Sequence, residues 1–286
     1  MSNDSEKIVI YHGDDRAEIF LAGAEIKSWK HSGKELMWPG DPQWWSGSAP
    51  ILFPVCGSPK DGKIRIDGVE REMTTHGFAL TSTFSVAAQT ADRVVLELVN
   101  DATTEAAYPY PFRLAVTVRL TDAGLRQSVD VTNTGDRPMP YSTGIHPAFV
   151  FADGLGEVVF DRDEASEIPL VQNKMFTGRS KPSGIVDRRV GIDTRDSFKL
   201  GALCFFDANS DGLEFRDSAG RGMRVRVGGF PHLILWAAQG AAFLSIEAWT
   251  GHGDAEGFKG SFDERPSTRF VAPGETHSYF GEFSPL

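Results

Sequence analysis

Hydrophobic residues recur at every second position in one segment after another along this chain. Phe112, Leu114, Val116, Val118 and Leu120 alternate with Arg113, Ala115, Thr117 and Arg119, the period of a half-buried β-strand. Thr121, Asp122, Ala123 and Gly124 supply turn chemistry. Leu125, Gln127, Val129 and Val131 then resume the alternation against Arg126, Ser128 and Asp130, so the two runs predict a hairpin. Upstream, Val94, Leu96 and Leu98 form another alternating set. Downstream, residues 213–216 lead into a turn at 217–220, after which Met223, Val225 and Val227 alternate with Arg224 and Arg226. Residues 231–236, 243–249, 267–271 and 276–283 complete the strands, with the turn Pro273-Gly274-Glu275 between the last two. No long run carries a helical stripe; short helical turns are expected only around residues 41–45 and 254–258. Many strands with close turns predict an all-β fold, a β-sandwich.

The chain has 286 residues, 41% of them hydrophobic, enough for one sizeable core. No linker, low-complexity stretch or fixed-period repeat divides it, so residues 1–286 read as one domain. The formal net charge is −10, and there is no long basic run, so a nucleic-acid backbone finds no electrostatic footprint. The polar, acidic start shows no secretory signal. No apolar run approaches the roughly 20 residues that span a bilayer. A cytoplasmic protein without membrane contact is expected. Cys56 and Cys204 belong to no CxxC pair and read as buried free thiols. A sandwich edge can pair with a second copy or be covered, so both a monomer and a homodimer fit.

The candidate chemistry begins with Glu247. On its strand Phe243, Ser245, Glu247 and Trp249 share one face and Leu244, Ile246 and Ala248 the other. A carboxylate in such a strand is costly to bury unless a partner or a wet cleft receives it. It reads either as a glutamate on a solvent face or paired to arginine, or as a carboxylate in an aromatic pocket. The second arrangement suits a sugar, whose CH faces stack on rings and whose hydroxyls need polar partners. His76 precedes Gly77, which permits a tight turn and close approach of a ligand. His146 precedes Pro147, which holds the backbone extended. Each histidine alone fits a structural hydrogen-bonding role; together with Glu247 they fit an acid–base site. A metal site needs the same residue types, but their wide separation lacks the short ligand spacing of a zinc motif.

The motifs in order resemble the aldose 1-epimerase (galactose mutarotase-like) family, most closely its LacX-like branch. The segments that carry the likeness are Gly23-Ala24-Glu25-Ile26, Glu35-Leu36-Met37-Trp38, the stretch from Gly40 to Ser46, the stretch from Ser48 to Pro54, and Asp61-Gly62-Lys63. His76-Gly77-Phe78-Ala79, Gly144-Ile145-His146-Pro147, the stretch from Ser245 to Gly251, and Pro273-Gly274-Glu275 follow. The resemblance runs from about residue 8 to residue 283. It implies a large antiparallel β-sandwich with a sugar cleft on one sheet. It further implies an isomerase that interconverts the α and β anomers of an aldose and requires no cofactor or metal. Glu247 matches the family base, His146 the acid at the ring oxygen, and His76 its helper there. Asp196 matches a hydroxyl-binding aspartate, although an aspartate capping a turn reads equally well. Trp249, Ser58 and Lys60 are further candidates for holding the sugar.

Base and acid are expected on opposite sides of the acetal carbon, each about 2.6–3.2 Å from its oxygen, with the carboxylate keeping the imidazole charged. Two arginines of the branch are replaced, by Ser58 and Leu80. Fewer guanidinium groups remain to hold a phosphate, so a neutral aldose is expected over its 6-phosphate unless Lys60, Arg216 or Arg226 rebuilds an anion site. The competing reading is a sugar-binding or regulatory protein on the same fold without turnover. His252 reads as a surface-loop histidine.

Overall fold

A computed structural model describes residues 6–286. Strands dominate it, and all of their ladders are antiparallel. The predicted hairpin forms as Phe112–Thr121 and Gly124–Asn133, with Leu120 opposite Leu125 across the turn. Arg93–Val99 pairs on its other side, placing Leu96 opposite Val116. Gly212–Asp217 and Gly222–Gly228 form the second predicted hairpin. Asp217 closes its turn by accepting the backbone N–H groups of Ala219 and Arg221, the local bonding that favours aspartate there. The carboxy-terminal strand Thr276–Pro285 lies between the two hairpins and joins them. With Ser85–Gln89 at one edge and Leu155–Phe160 and Arg189–Asp193 at the other, they make a nine-stranded sheet.

Against this sheet packs a second, built on Phe243–Trp249. That strand pairs with His232–Trp236 on one side, and with Gly144–Ile145 and Ala148–Val150 on the other. Leu203–Phe205 and Ile51–Leu52 extend the sheet. Phe149 of this sheet meets Phe215 and Phe283 of the nine-stranded sheet at 5.7 and 5.3 Å between ring centroids. Each such fully buried apolar side chain contributes about 1.5–3 kcal/mol. All seven residues of Phe243–Trp249 are buried. The Leu244 face is covered by the large sheet, and the Glu247 face by the walls of a cleft. The large antiparallel sandwich expected from the sequence is what forms.

An amino-terminal sheet from Lys7 to Glu35 continues beside Phe112–Thr121; the alternation pattern had not marked its strands. The one α-helix among the described residues is Ala102–Ala107, capped reciprocally by Asp101 and Thr104. The expected helical turns are single turns: Trp44 and Trp45 donate to the Asp41 carbonyl, and Phe258 to that of Ala255. No helix among the described residues is long and apolar enough to cross a membrane.

Candidate active site

The cleft opens on the second sheet and encloses about 810 Å³, within the range of small-ligand sites. Glu247 lies on its floor, 2% exposed. Ile145 stands opposite Ala248, and Ala148 opposite Ser245; by the same register His146 stands opposite Glu247. Pro147 has no N–H to give the ladder, and the segment breaks there into two short strands. His146 Nε2 is 3.1 Å from Glu247 Oε1, and its Nδ1 is 2.9 Å from the Ser245 hydroxyl. The Trp45 ring lies 4.9 Å from the imidazole, and Trp236 meets it edge-on at 5.8 Å. Glu247 Oε2 and the indole Nε1 of Trp249 are buried without a protein partner. The indole N–H is near enough to favour the carboxylate's charge but lies outside hydrogen-bonding geometry. An acceptor and a donor are thus left over on the cleft floor.

Electrostatics departs from the sequence expectation. Burial pushes Glu247 well above its ordinary value, with Trp249 opposing only in part. Burial, then the neighbouring His76, pushes His146 well below the usual imidazole value. Both groups are driven toward their neutral forms, so removal from water outweighs the charge support that Glu247 was expected to give. The two groups are also in direct contact rather than set apart.

His76 reaches the cleft from a loop in which it and Gly77 both have left-handed φ, 68° and 79°. Gly57 clasps it twice: its carbonyl accepts the His76 N–H, and its own N–H donates to Nδ1 at 3.2 Å. Burial, with Lys174 adding, pushes His76 down to about 4. A neutral imidazole whose Nδ1 accepts carries its hydrogen on Nε2, so His76 is a neutral donor. Its ring is edge-on to His146 at 5.6 Å and to Trp249 at 5.4 Å. Gly77 serves a close approach to protein rather than to ligand. A Cβ there would lie 2.1 Å from the Phe53 carbonyl oxygen. Gly77→Ala is therefore expected to destabilise by about 3 kcal/mol or more. Denaturant unfolding with an unchanged midpoint would contradict that.

The structure brings Glu247, His146, His76, Trp249 and Ser58 to one cleft. Ser58 is buried, its Oγ 2.8 Å from that of Thr75. Lys60 lines a separate cavity of about 260 Å³ beside the buried Asp254–Arg265 pair. Its backbone N–H is held by Asp254. Asp196 does not line the cleft; it is exposed and ion-paired to Lys199 at 2.5 Å. The turn reading of Asp196 fits this placement. Arg226 pairs with Glu282 on the large sheet. His252 is not a free surface histidine but stacks on Phe206 at 4.4 Å. Cys56 and Cys204 are buried and free, and burial pushes both thiols up to about 12.

Four residues of the site went unmarked in the sequence. Trp45 lay in a motif of the resemblance, Ser245 shares its strand face with Glu247 and Trp249, and Trp236 stands opposite Ser245 on the adjacent strand. Lys174 carried no signal. It lies at the turn between Glu167–Gln172 and Met175–Pro182, where Asn173 and Lys174 both take left-handed φ, the geometry of a two-residue hairpin turn. Lys174 forms no ion pair among the described residues, and with Lys199 it lines the cleft.

Comparison with known proteins agrees with this architecture. The family model for aldose 1-epimerase matches residues 6–284. Protein LacX of Lactococcus lactis subsp. lactis is 29% identical over 273 residues, 89% of this chain and 91% of that protein. A galactose mutarotase-like protein from Lactobacillus casei superposes with a TM-score of 0.92 at 24% identity, covering 98% of this chain and all of that one. A galactose mutarotase related enzyme from Lactobacillus acidophilus gives 0.89 at 22%, covering 98% and 97%. These last two likenesses speak for the fold alone; the family match spans nearly the whole chain, and the chain belongs to the aldose 1-epimerase family.

Proposed function

We propose that this protein interconverts the α and β anomers of an aldose. Glu247 acts as base, His146 as acid, and His76 as a neutral donor to the ring oxygen. The observation that carries this reading is the buried Glu247–His146 contact on the floor of a sugar-sized cleft.

The Glu247 carboxylate takes the proton from O1–H. The electron pair left on O1 forms the C1=O1 bond, the C1–O5 bond breaks, and O5 takes the proton from His146 Nε2. Rotation about C1–C2 turns the other carbonyl face toward O5. The same transfers in reverse close the ring and restore both residues. O1 and O5 are bonded to one carbon, so acid and base need stand only a short way apart. A sugar entering the site exchanges their mutual hydrogen bond for one bond to each oxygen.

The proton bookkeeping explains the shifts. Ring opening turns carboxylate plus imidazolium into carboxylic acid plus imidazole. In water that transfer is unfavourable by about 3 kcal/mol, because imidazole holds a proton more tightly than carboxylate. Burial raises Glu247 and lowers His146, so it works against that penalty and favours the neutral pair that ring opening creates. A protein that only held sugar would gain nothing from desolvating both groups. The aromatic walls, Trp45, Trp236 and Trp249 among them, suit the CH faces of a pyranose. Polarimetry of freshly dissolved glucose and galactose is expected to show a faster approach to equilibrium with protein than with buffer. No acceleration for any aldose in a panel, neutral or phosphorylated, would refute the assignment.

The substrate is expected to be a neutral aldose. Lys60, Arg216 and Arg226 do not line the cleft, and of the two rim lysines Lys199 is already paired. That leaves Lys174, one exposed and screened charge on a protein of net charge −10. Initial rates for glucose, galactose and their 6-phosphates check this. A tenfold preference for a 6-phosphate would contradict it and assign the phosphate to Lys174.

A further inference from the structure

The proposed reaction leaves Ser245 without a task, yet its surroundings are specific. Its side chain shares the cleft face with Glu247 and is completely buried. Its Oγ lies 2.9 Å from His146 Nδ1 and 3.1 Å from the Pro147 carbonyl oxygen. A hydroxyl has one hydrogen to donate, and a carbonyl can only accept. When Ser245 donates to Pro147, its oxygen is left as an acceptor facing Nδ1, and Nδ1 must carry a hydrogen. The Pro147 oxygen also receives the Ile246 N–H at 3.0 Å, so both of its lone pairs are used.

The geometry points to Ser245 as a positioning residue that holds His146 Nδ1 as a permanent donor. Nε2, the nitrogen facing Glu247, then becomes the only one that gains and loses the catalytic proton. This inference rests on the mutarotase reading for its kinetic consequence. The opposite orientation, hydroxyl to Nδ1, would place the hydrogen of a neutral imidazole on Nε2. The imidazole could then no longer recover a proton from O5 when the ring closes. The titratable groups facing His146 are Glu247 on the adjacent strand and His76 on its loop. Trp45 and Trp236, the other rings against it, do not titrate.

Ser245→Ala removes the acceptor without adding bulk. A neutral imidazole with a buried, unpartnered Nδ1–H is disfavoured, so the hydrogen should move to Nε2 and the imidazolium should become harder to form. Three changes are expected together: kcat falls tenfold or more with KM within threefold, the acid limb of the pH profile moves to lower pH, and imidazole nitrogen NMR of labelled protein shows Nδ1 protonated in wild type but not in the variant. An unchanged tautomer in Ser245→Ala would overturn the inference, whether or not kcat falls, because a fall alone marks a packing role. A wild-type Nδ1 that carries no hydrogen would overturn it equally. If no aldose is anomerised by wild type, the mutarotase reading fails, while the NMR comparison still decides the role of Ser245.

Discussion

Glu247→Gln is expected to abolish most of the activity and to make the protein more stable at the same time. The amide keeps the shape of the carboxyl group and its contact with His146, but it cannot take the proton from O1. A loss of 10²-fold or more in kcat is the usual scale for a positioned base. The gain in stability has a different origin. The folded protein holds the Glu247 proton more tightly than the unfolded chain does, because burial disfavours the charge. A group raised in this way contributes its full stability below its unfolded value, and that contribution is lost as pH rises through the folded value. Glutamine is never charged and loses nothing. Wild type and variant should therefore melt alike in acid, and the variant should melt higher once pH climbs past the ordinary carboxylate range. The difference should reach about 1–2 kcal/mol, typical when a buried strained charge at a functional site is removed. Melting curves that separate in acid and converge in alkali would reverse the sign and contradict the burial argument. Activity within threefold of wild type in an anomerisation assay would remove Glu247 as base.

Part of this site is legible in the amino-acid sequence and part is not. Period-two alternation was sufficient to find Glu247, because a carboxylate on the Phe243, Ser245 and Trp249 face breaks an apolar strand visibly. The same alternation located both hairpins of the large sheet with their turns. It missed the amino-terminal strands. The partner of Glu247 lay beyond it as well. Residues 146 and 247 are brought together by the pairing of Gly144–Ile145 and Ala148–Val150 with Phe243–Trp249, and such long-range register is not written in either segment alone. His146 was found through its motif, and its contact with Glu247 only through the fold. Lys174 illustrates the opposite failure: a lysine at a polar turn looks like any solvated loop residue until the hairpin folds over the cleft. A short aspartate motif such as that at Asp196 fits a turn as well as a sugar site, and the structure sets it outside the cleft, paired to Lys199. The charge state of the pair was misjudged because proximity of opposite charges is legible in sequence motifs, whereas the depth of their burial is not.

The pH dependence of the wild-type protein's activity is expected to be a plateau whose acid limb is displaced below the ordinary imidazole range and whose alkaline limb is displaced above the ordinary carboxylate range, and His146→Asn should remove its catalytic basis. In the proposed mechanism the reactive pair holds one proton between Glu247 and His146, and its titration belongs to the pair rather than to either residue. Adding a second proton creates an imidazolium beside a neutral carboxyl group in a buried site. Burial opposes that, so the acid limb should fall below the ordinary imidazole value of about 6.5. Removing the last proton leaves a buried carboxylate beside a neutral imidazole. Burial opposes that too, so the alkaline limb should lie well above the ordinary glutamate value of about 4.3. Measurement of kcat/KM from acid to alkali locates both limbs. An acid limb at or above about 6.5, or an alkaline limb at or below about 4.3, would contradict the burial argument. His146→Asn retains a hydrogen-bonding side chain opposite Glu247 but has no proton of suitable acidity for O5. Its kcat should fall by about 10²–10⁴-fold, with KM changed far less because the aromatic walls and His76 remain. Retention of wild-type kcat in that variant would move the acid role to another group, and His76 is poorly suited to it, held neutral by burial with its Nδ1 occupied by Gly57.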